Sequence, residues 1–417
     1  MNLAQTSFLS LLATAIKMSS GFVINKTAAV YIGPSGIALI GQLQNVVQLV
    51  LTLGQGAINS GVTKYTAELS SDDKRLSELL STASKISLCC SIITGVMLFI
   101  FSESASLYFL KSLEFTYILR ILAITTPLFV FNSLALSILN GLKETRVYLY
   151  INIIQSTYSL IFTSFLILIY SLHGAMIALA TNQAVVFFIV LFALRNHKFA
   201  NIGYFSKNSN MVDAKKLAAF SLMTGVTMLL TPVTLTLVRN HIIQTDSMFE
   251  AGLWQSMWYL STMYLLAFMT IIRVYFLPIF SKNIEPSELR REIFSGLYFF
   301  IPIGFCVLTS IYLMRDYLIL LLFSDEFLKM RELFFWQLTG DFLKLLGTLF
   351  GILMAAKAKH FRAILINIVC SSAFVFSVLT MYQSGDLIEL ARAHFISNLV
   401  FVCLSILLTW NILNEKL

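Results

Sequence analysis

A chain of 417 residues that is 58% hydrophobic and only 12% charged, with a mean hydropathy of +0.82, does not fold as a water-soluble globule. Each membrane crossing consumes about twenty residues, so the class expected is an all-α polytopic membrane protein of about twelve transmembrane helices. The formal charge of +8 would suggest nucleic acid, but most of it is accounted for by topology, and no nucleic-acid partner is expected.

Apolar runs bounded by polar or turn residues predict helices at 9–31, 37–62, 80–101, 117–139, 148–170, 174–194, 217–238, 251–277, 293–313, 332–354, 363–383 and 390–411. The first run has no basic segment before it, carries Lys17 in its middle and lacks a small-residue cleavage site, so it reads as a retained helix and not a signal peptide. Lys17 lies about 12 Å along this helix, too deep for easy snorkelling, which favours a water-filled surrounding over lipid. Lys26 falls on the opposite side of an ideal helix. Either a bend at Ser19, Ser20 and Gly21 brings the two together, or Lys26 reaches the outer headgroups. On the second predicted helix Gln44, Gln48, Gln55 and Asn59 fall on one stripe about 60° wide. Four carboxamides suit sugar hydroxyls, and this reading is weighed above the alternative that they glue helices together.

The longest polar connection, near 195–216, divides the chain into an N-terminal six-helix lobe (1–200), a cytoplasmic loop (201–216) and a C-terminal six-helix lobe (217–417). Short Gly-bearing turns open the second helix of each half, GPSGIALIGQLQ at 33–44 and AGLWQSMW at 251–258, a faint repeat of the kind found in transporters built as two lobes around a central cavity. A threonine stripe (Thr224, Thr227, Thr231, Thr234) marks the seventh helix. Gln255, Trp258, Thr262 and Arg273 share one side of the eighth, suited to stacking on sugar or, equally, to an interfacial aromatic belt. On the tenth helix Asp341 and Lys344, three residues apart, can pair with each other. Asp341 is the lone acid far from a helix end, which makes it a candidate for ion coupling; mutual neutralisation with Lys344 is an equal alternative. The five histidines are scattered, and the five cysteines sit in apolar runs without metal or redox spacing.

With both termini cytoplasmic, the inside segments hold 17 basic residues and the outside loops five, Arg239 among the latter. The basic residues within predicted spans outnumber the deep acids, and a cationic interior prefers anions. There is no Walker loop, HExxH or Cys/His cluster, so neither ATP hydrolysis nor a metal or other cofactor is expected.

The segments IKMSSGFVINKTAAVYIGPSGIALIGQ (16–42), NSGVTKYTAE (59–68), GLWQ (252–255) and FFWQLTGDFLK (334–344) resemble the Wzx family of lipid-linked oligosaccharide flippases, within the multidrug/oligosaccharidyl-lipid/polysaccharide exporters. The resemblance covers most of the chain. It implies two six-helix lobes, alternating access and transfer of an undecaprenyl-pyrophosphate-linked oligosaccharide from the cytoplasmic to the periplasmic leaflet of the bacterial inner membrane. The cargo it implies is an O-antigen repeat unit or, alternatively, the lipid-linked repeat of enterobacterial common antigen. A polysaccharide polymerase and a chain-length regulator are further partners expected on this basis. Lys17, Lys26, Lys64, Asp341 and Lys344 match charged positions of the family pattern. The expected assignment places Lys17, Lys26, Lys64 and Arg273 on the pyrophosphate or an anionic sugar. Gln44, Gln48, Gln55, Asn59, Gln255 and Trp258 contact sugar, and Asp341 and Lys344 serve coupling. A multidrug exporter needs a negative interior, and a membrane-embedded polymerase needs a large outside loop with acid/base groups; the sequence has neither.

Overall fold

The computed structural model describes residues 3–195, 211–281, 285–357 and 359–414. These form thirteen α-helices and short 3-10 and π turns, with no strand among the described residues. The helices are α1 (Leu3–Gly54), α2 (Asn59–Glu68), α3 (Asp73–Ile100), α4 (Ser102–Ala105), α5 (Thr116–Gly141), α6 (Thr145–Leu194) and α7 (Met211–Thr245). They continue with α8 (Met248–Phe280), α9 (Pro286–Leu313), α10 (Arg315–Leu322), α11 (Phe334–Ala356), α12 (His360–Met381) and α13 (Ile388–Asn414). Ten helices among the described residues are long and apolar enough to cross a membrane.

Two of those ten, α1 and α6, are 52 and 50 residues long, about 75 Å at 1.5 Å per residue and more than twice the hydrocarbon thickness. Each is broken near its middle, which turns ten helices into twelve crossing arms. In α1 the break is Gly33, at φ 75°, followed by Pro34. Glycine closes one helix in the left-handed region and proline starts the next with φ preset. In α6 the break is Ser171, at φ 49°, a strained value for a residue with a Cβ. Its hydroxyl donates to the Tyr31 carbonyl at 3.1 Å. Gly174 lies so close to the Leu166 carbonyl, eight residues back, that a Cβ there would sit 1.9 Å from the oxygen. Residues eight apart in a straight helix are about 12 Å distant, so α6 is a hairpin.

The predicted helix 37–62 is not continuous. It ends at Gly54, and Gly56 and Ala57 turn through positive φ before α2 begins at Asn59. The turn sequence GQGA breaks the helix because glycine favours the coil, a cost that the apolar periodicity did not weigh.

The chain divides into two compact units, one of residues 1–32 and 39–233, the other of 33–38 and 234–417. The second division falls just after Pro232, where α7 lacks a backbone donor. Of the polar connection 195–216, residues 196–210 lie outside the described residues, and 211–216 form the first turns of α7. The first unit has a core of Ile58, Val62, Leu76, Leu80, Leu134 and Ile138. The second is rich in aromatics, with Phe268, Phe276, Phe280, Phe300 and Phe350 packed against Leu349 and Leu353. Outward faces stay apolar: Ile93, Met97 and Ile100 on α3 and Phe294, Tyr298 and Phe305 on α9 are exposed, as lipid-facing side chains are.

Candidate functional site: a buried polar network in the second unit

Asp341 is completely buried on α11, facing α8 and α13. His394 of α13, 4% exposed, places its Nε2 2.9 Å from one carboxylate oxygen, and Tyr264 of α8 donates its hydroxyl to the other. The network extends both ways. The Tyr264 oxygen lies 3.2 Å from the Ser261 hydroxyl, which accepts from the Gln337 amide at 3.1 Å. The Asn398 amide donates to the His394 carbonyl at 2.9 Å. A carboxylate held against an imidazole and a phenol links three helices through one buried polar chain.

The expected Asp341–Lys344 pair does not form as an ion pair. Both carboxylate oxygens are taken by other helices, and the Lys344 ammonium lies 5.7 Å from the centroid of the Trp258 ring. No ion pair or side-chain hydrogen bond of Lys344 occurs among the described residues, and the side chain is half-buried. A cation–π contact contributes about 0.5–2 kcal/mol, whereas a lysine at mid-span costs about 2.5–3.5 kcal/mol, so the ring alone does not offset the charge. Trp258 itself is held on three sides, stacked on Phe374 at 6.2 Å and edge-on to His394 at 5.6 Å, with Trp254 at 5.8 Å.

Arg239 is a correction. The sequence placed it in an outside loop, one residue past the predicted end of the seventh helix. The structure carries α7 on to Thr245 and buries Arg239 completely. Its guanidinium donates to the Gln255 carboxamide oxygen and lies 5.7 Å from the Trp254 ring. Gln255 is thereby committed to α7 and is 3% exposed, three residues before Trp258. Arg273, predicted on the same side of the eighth helix, is exposed and about 22 Å farther along α8. Of the residues predicted in this unit, Trp258, Asp341 and Lys344 converge; Gln255 and Arg273 stand apart from them.

In the first unit the amide stripe separates into two pairs. Gln44 is half-buried and Gln48 exposed on the 34–54 arm of α1. Across the turn at Gly56 and Ala57, the Asn59 amide donates to Gln55 at 3.0 Å and to the Ser133 hydroxyl of α5 at 2.7 Å. Both are 8% exposed, so this pair joins α2 to α5, as a helix-gluing role requires. Gly141 tightens the same joint, its position leaving a Cβ only 2.6 Å from the Thr63 carbonyl. Lys64 is exposed in the middle of α2, 3.8 Å from Glu68 and over the rings of Tyr65 and Phe220 at 5.2 and 5.3 Å. Lys17 is exposed and Lys26 half-buried on the first arm of α1.

One end of the second unit is tied by the turn between α7 and α8. The Ser247 hydroxyl caps α8 by accepting from the Glu250 N–H at 3.2 Å, and Glu250 accepts from Lys329 at 2.8 Å. Asp246 accepts from the Tyr382 hydroxyl at 3.2 Å and the Gly385 N–H at 2.8 Å. Burial, and then the Asp246 carboxylate, push the Tyr382 phenol above its ordinary range, so it stays a neutral donor. A phenol raised on folding stabilises below its unfolded value of about 10 and loses that contribution as pH rises through the folded value. Melting of the detergent-solubilised protein is therefore expected to hold steady from pH 6 to 9 and decline above about pH 10. Tyr382→Phe should remove part of the alkaline decline and lower stability by about 1 kcal/mol at neutral pH.

Sequence reasoning missed Tyr264, His394 and Arg239 as members of this arrangement. One signal was available for His394: a lone deep acid needs a partner, and His394 is an ionisable side chain inside a predicted span. Nothing comparable marked Tyr264, one of 16 tyrosines.

Residues 10–165 match the MatE family. The chain is 25% identical over 412 residues, 98% of its length and 99% of theirs, to proteins named Lipid III flippase from Escherichia coli (strain K12) and Shigella flexneri. Its fold is similar to an inward-facing structure of a multidrug resistance MATE family transporter of the MOP superfamily. The TM-score is 0.78 at 14% identity, over 95% of this chain and 94% of that one. An outward-facing structure of such a transporter gives 0.71 at 15% identity, over 96% and 94%. The chain thus matches MatE over residues 10–165 and has a fold similar to that of MATE transporters, as the sequence resemblance led one to expect.

Proposed function

We propose that this protein is a flippase that moves a lipid-linked, anionic oligosaccharide across the bacterial inner membrane. The observation that carries the reading is similarity along nearly the whole chain to proteins named Lipid III flippase, on a transporter fold. Likeness to both an inward-facing and an outward-facing structure supports alternating access as the mode of movement. The substrate is an undecaprenyl-pyrophosphate-linked repeat unit, of enterobacterial common antigen or of an O-antigen. Transfer runs from the cytoplasmic to the periplasmic leaflet, with both termini cytoplasmic and with the six-helix lobes 1–200 and 217–417 as the moving parts. A polymerase and a chain-length regulator act on the product. In this reading Asp341 with His394 is where a proton or sodium ion acts, because a buried carboxylate–imidazole pair changes charge with one ion.

A deletion strain is expected to accumulate single lipid-linked units on the cytoplasmic leaflet and to lose the surface glycan. Units displayed on the periplasmic leaflet would instead indicate a polymerase, and drug hypersensitivity with intact glycan a drug exporter. Lys17, Lys26, Lys64 and Arg273 supply positive charge for the pyrophosphate, with Lys17 deepest. Lys17→Ala should reduce surface glycan at least ten-fold, with protein level unchanged on an immunoblot. Normal glycan in that strain removes Lys17 from the mechanism.

A further inference from the structure

We propose that Lys344 and Trp258 form a binding subsite in the second unit for an anionic group carried on, or directly next to, a pyranose ring. The inference rests on the flippase reading for its biological substrate, and it moves Lys344 from ion coupling to substrate binding.

Three observations support it. First, the Lys344 ammonium makes no hydrogen bond or ion pair among the described residues, and its contact is the Trp258 ring at 5.7 Å. An ammonium offers three donors, and an aromatic face accepts none of them in full, so an oxyanion is the complementary partner. Second, the nearest acid on its own helix interacts with Lys344 electrostatically but makes no direct ion pair with it. Asp341, one turn earlier, gives its two oxygens to His394 and Tyr264. Third, Trp258 is oriented before any ligand arrives, clamped by Phe374, His394 and Trp254. A fixed indole beside a fixed cation suits a sugar ring, whose C–H face packs on aromatics, joined to a phosphate or carboxylate that reaches the ammonium. Pre-orientation removes an ordering cost that a mobile aromatic would incur on binding.

The arrangement makes a discrimination. A neutral sugar finds the ring alone, and a bare anion finds the ammonium alone. A ligand with both groups in one small molecule uses both contacts. Two sources carry that chemistry in a lipid-linked oligosaccharide: the sugar next to the pyrophosphate, and an acidic sugar farther along.

The test uses the purified full-length chain in detergent micelles and its tryptophan fluorescence, titrated separately with glucose 1-phosphate, glucuronate, glucose and inorganic phosphate. At least one charged sugar is expected to give a saturable change at concentrations ten-fold or more below glucose and inorganic phosphate. Trp258→Phe should remove the signal. Lys344→Gln should bring the charged sugar to the level of glucose, and Lys344→Arg should keep the preference. A response to glucose 1-phosphate alone assigns the subsite to the phosphate-linked sugar, and to glucuronate alone, an acidic sugar. Equal responses to charged and neutral sugars, or an unchanged preference in a Lys344→Gln protein that elutes and melts like the parent, would overturn the proposal. The flippase reading stands or falls separately, on the leaflet in which the deletion strain accumulates lipid-linked units.

Discussion

Asp341→Asn is expected to abolish surface glycan while leaving a folded, membrane-inserted protein. The carboxamide keeps the shape of the side chain and one carbonyl acceptor for Tyr264 or His394, so packing survives, but the group no longer changes charge. Asp341→Ala should behave differently. It strips the Tyr264–Asp341–His394 chain, in which Asp341 and His394 are buried and Tyr264 half-buried, of its centre and leaves each neighbour one hydrogen bond short. Removal of one partner of such a buried pair costs about 3–5 kcal/mol, which should appear as loss of the monodisperse peak in size-exclusion chromatography and a much lower melting temperature. The informative measurement is flipping by the two variants in energised and de-energised vesicles. If Asp341→Asn flips normally in both, the network is a structural clasp and the driving force lies elsewhere.

The second large effect is expected at Gly252, which opens the GLWQ segment of α8. A Cβ at this position would lie 1.9 Å from the carbonyl oxygen of Pro34 and 2.3 Å from its carbon. Both partners are main chain, so no rotamer change relieves the clash, and α8 must move away from the 33–38 turn. Gly252→Ala should therefore cost about 3 kcal/mol or more, at the upper end for overpacking. Gly174→Ala should match it, because the Cβ would meet the Leu166 carbonyl across the α6 hairpin at the same 1.9 Å. Gly351→Ala is the control. Its Cβ would meet nothing within 4 Å, and inside a helix alanine is the better residue by up to about 1 kcal/mol, so melting should hold or rise slightly. A Gly252→Ala protein that melts like the Gly351→Ala protein would show that the close approach is not required.

These effects separate what is local from what is not. The twelve crossings, and the all-helical class with them, follow from composition and from run lengths, because the hydrocarbon layer imposes one length on every span and forces each backbone group to bond within its helix. The turn at Gly33–Pro34 is legible in the same way, since glycine followed by proline punctuates helices by backbone sterics alone. The amide stripe through Gln44, Gln48, Gln55 and Asn59 was not, because a helical wheel assumes a continuous helix and the chain turns at Gly56 and Ala57. Asp341 illustrates the boundary most plainly. Its sequence marked it as an acid that needs a partner and offered Lys344, three residues away, as the local answer. The partners taken, Tyr264 and His394, lie 77 and 53 residues distant. Sequence determined which polar groups sit in an apolar interior, for that depends on hydropathy within one helix. Only the packing of α8, α11 and α13 decided which of them meet, because a hydrogen bond requires atoms within about 3 Å and that distance is set by neighbours far along the chain.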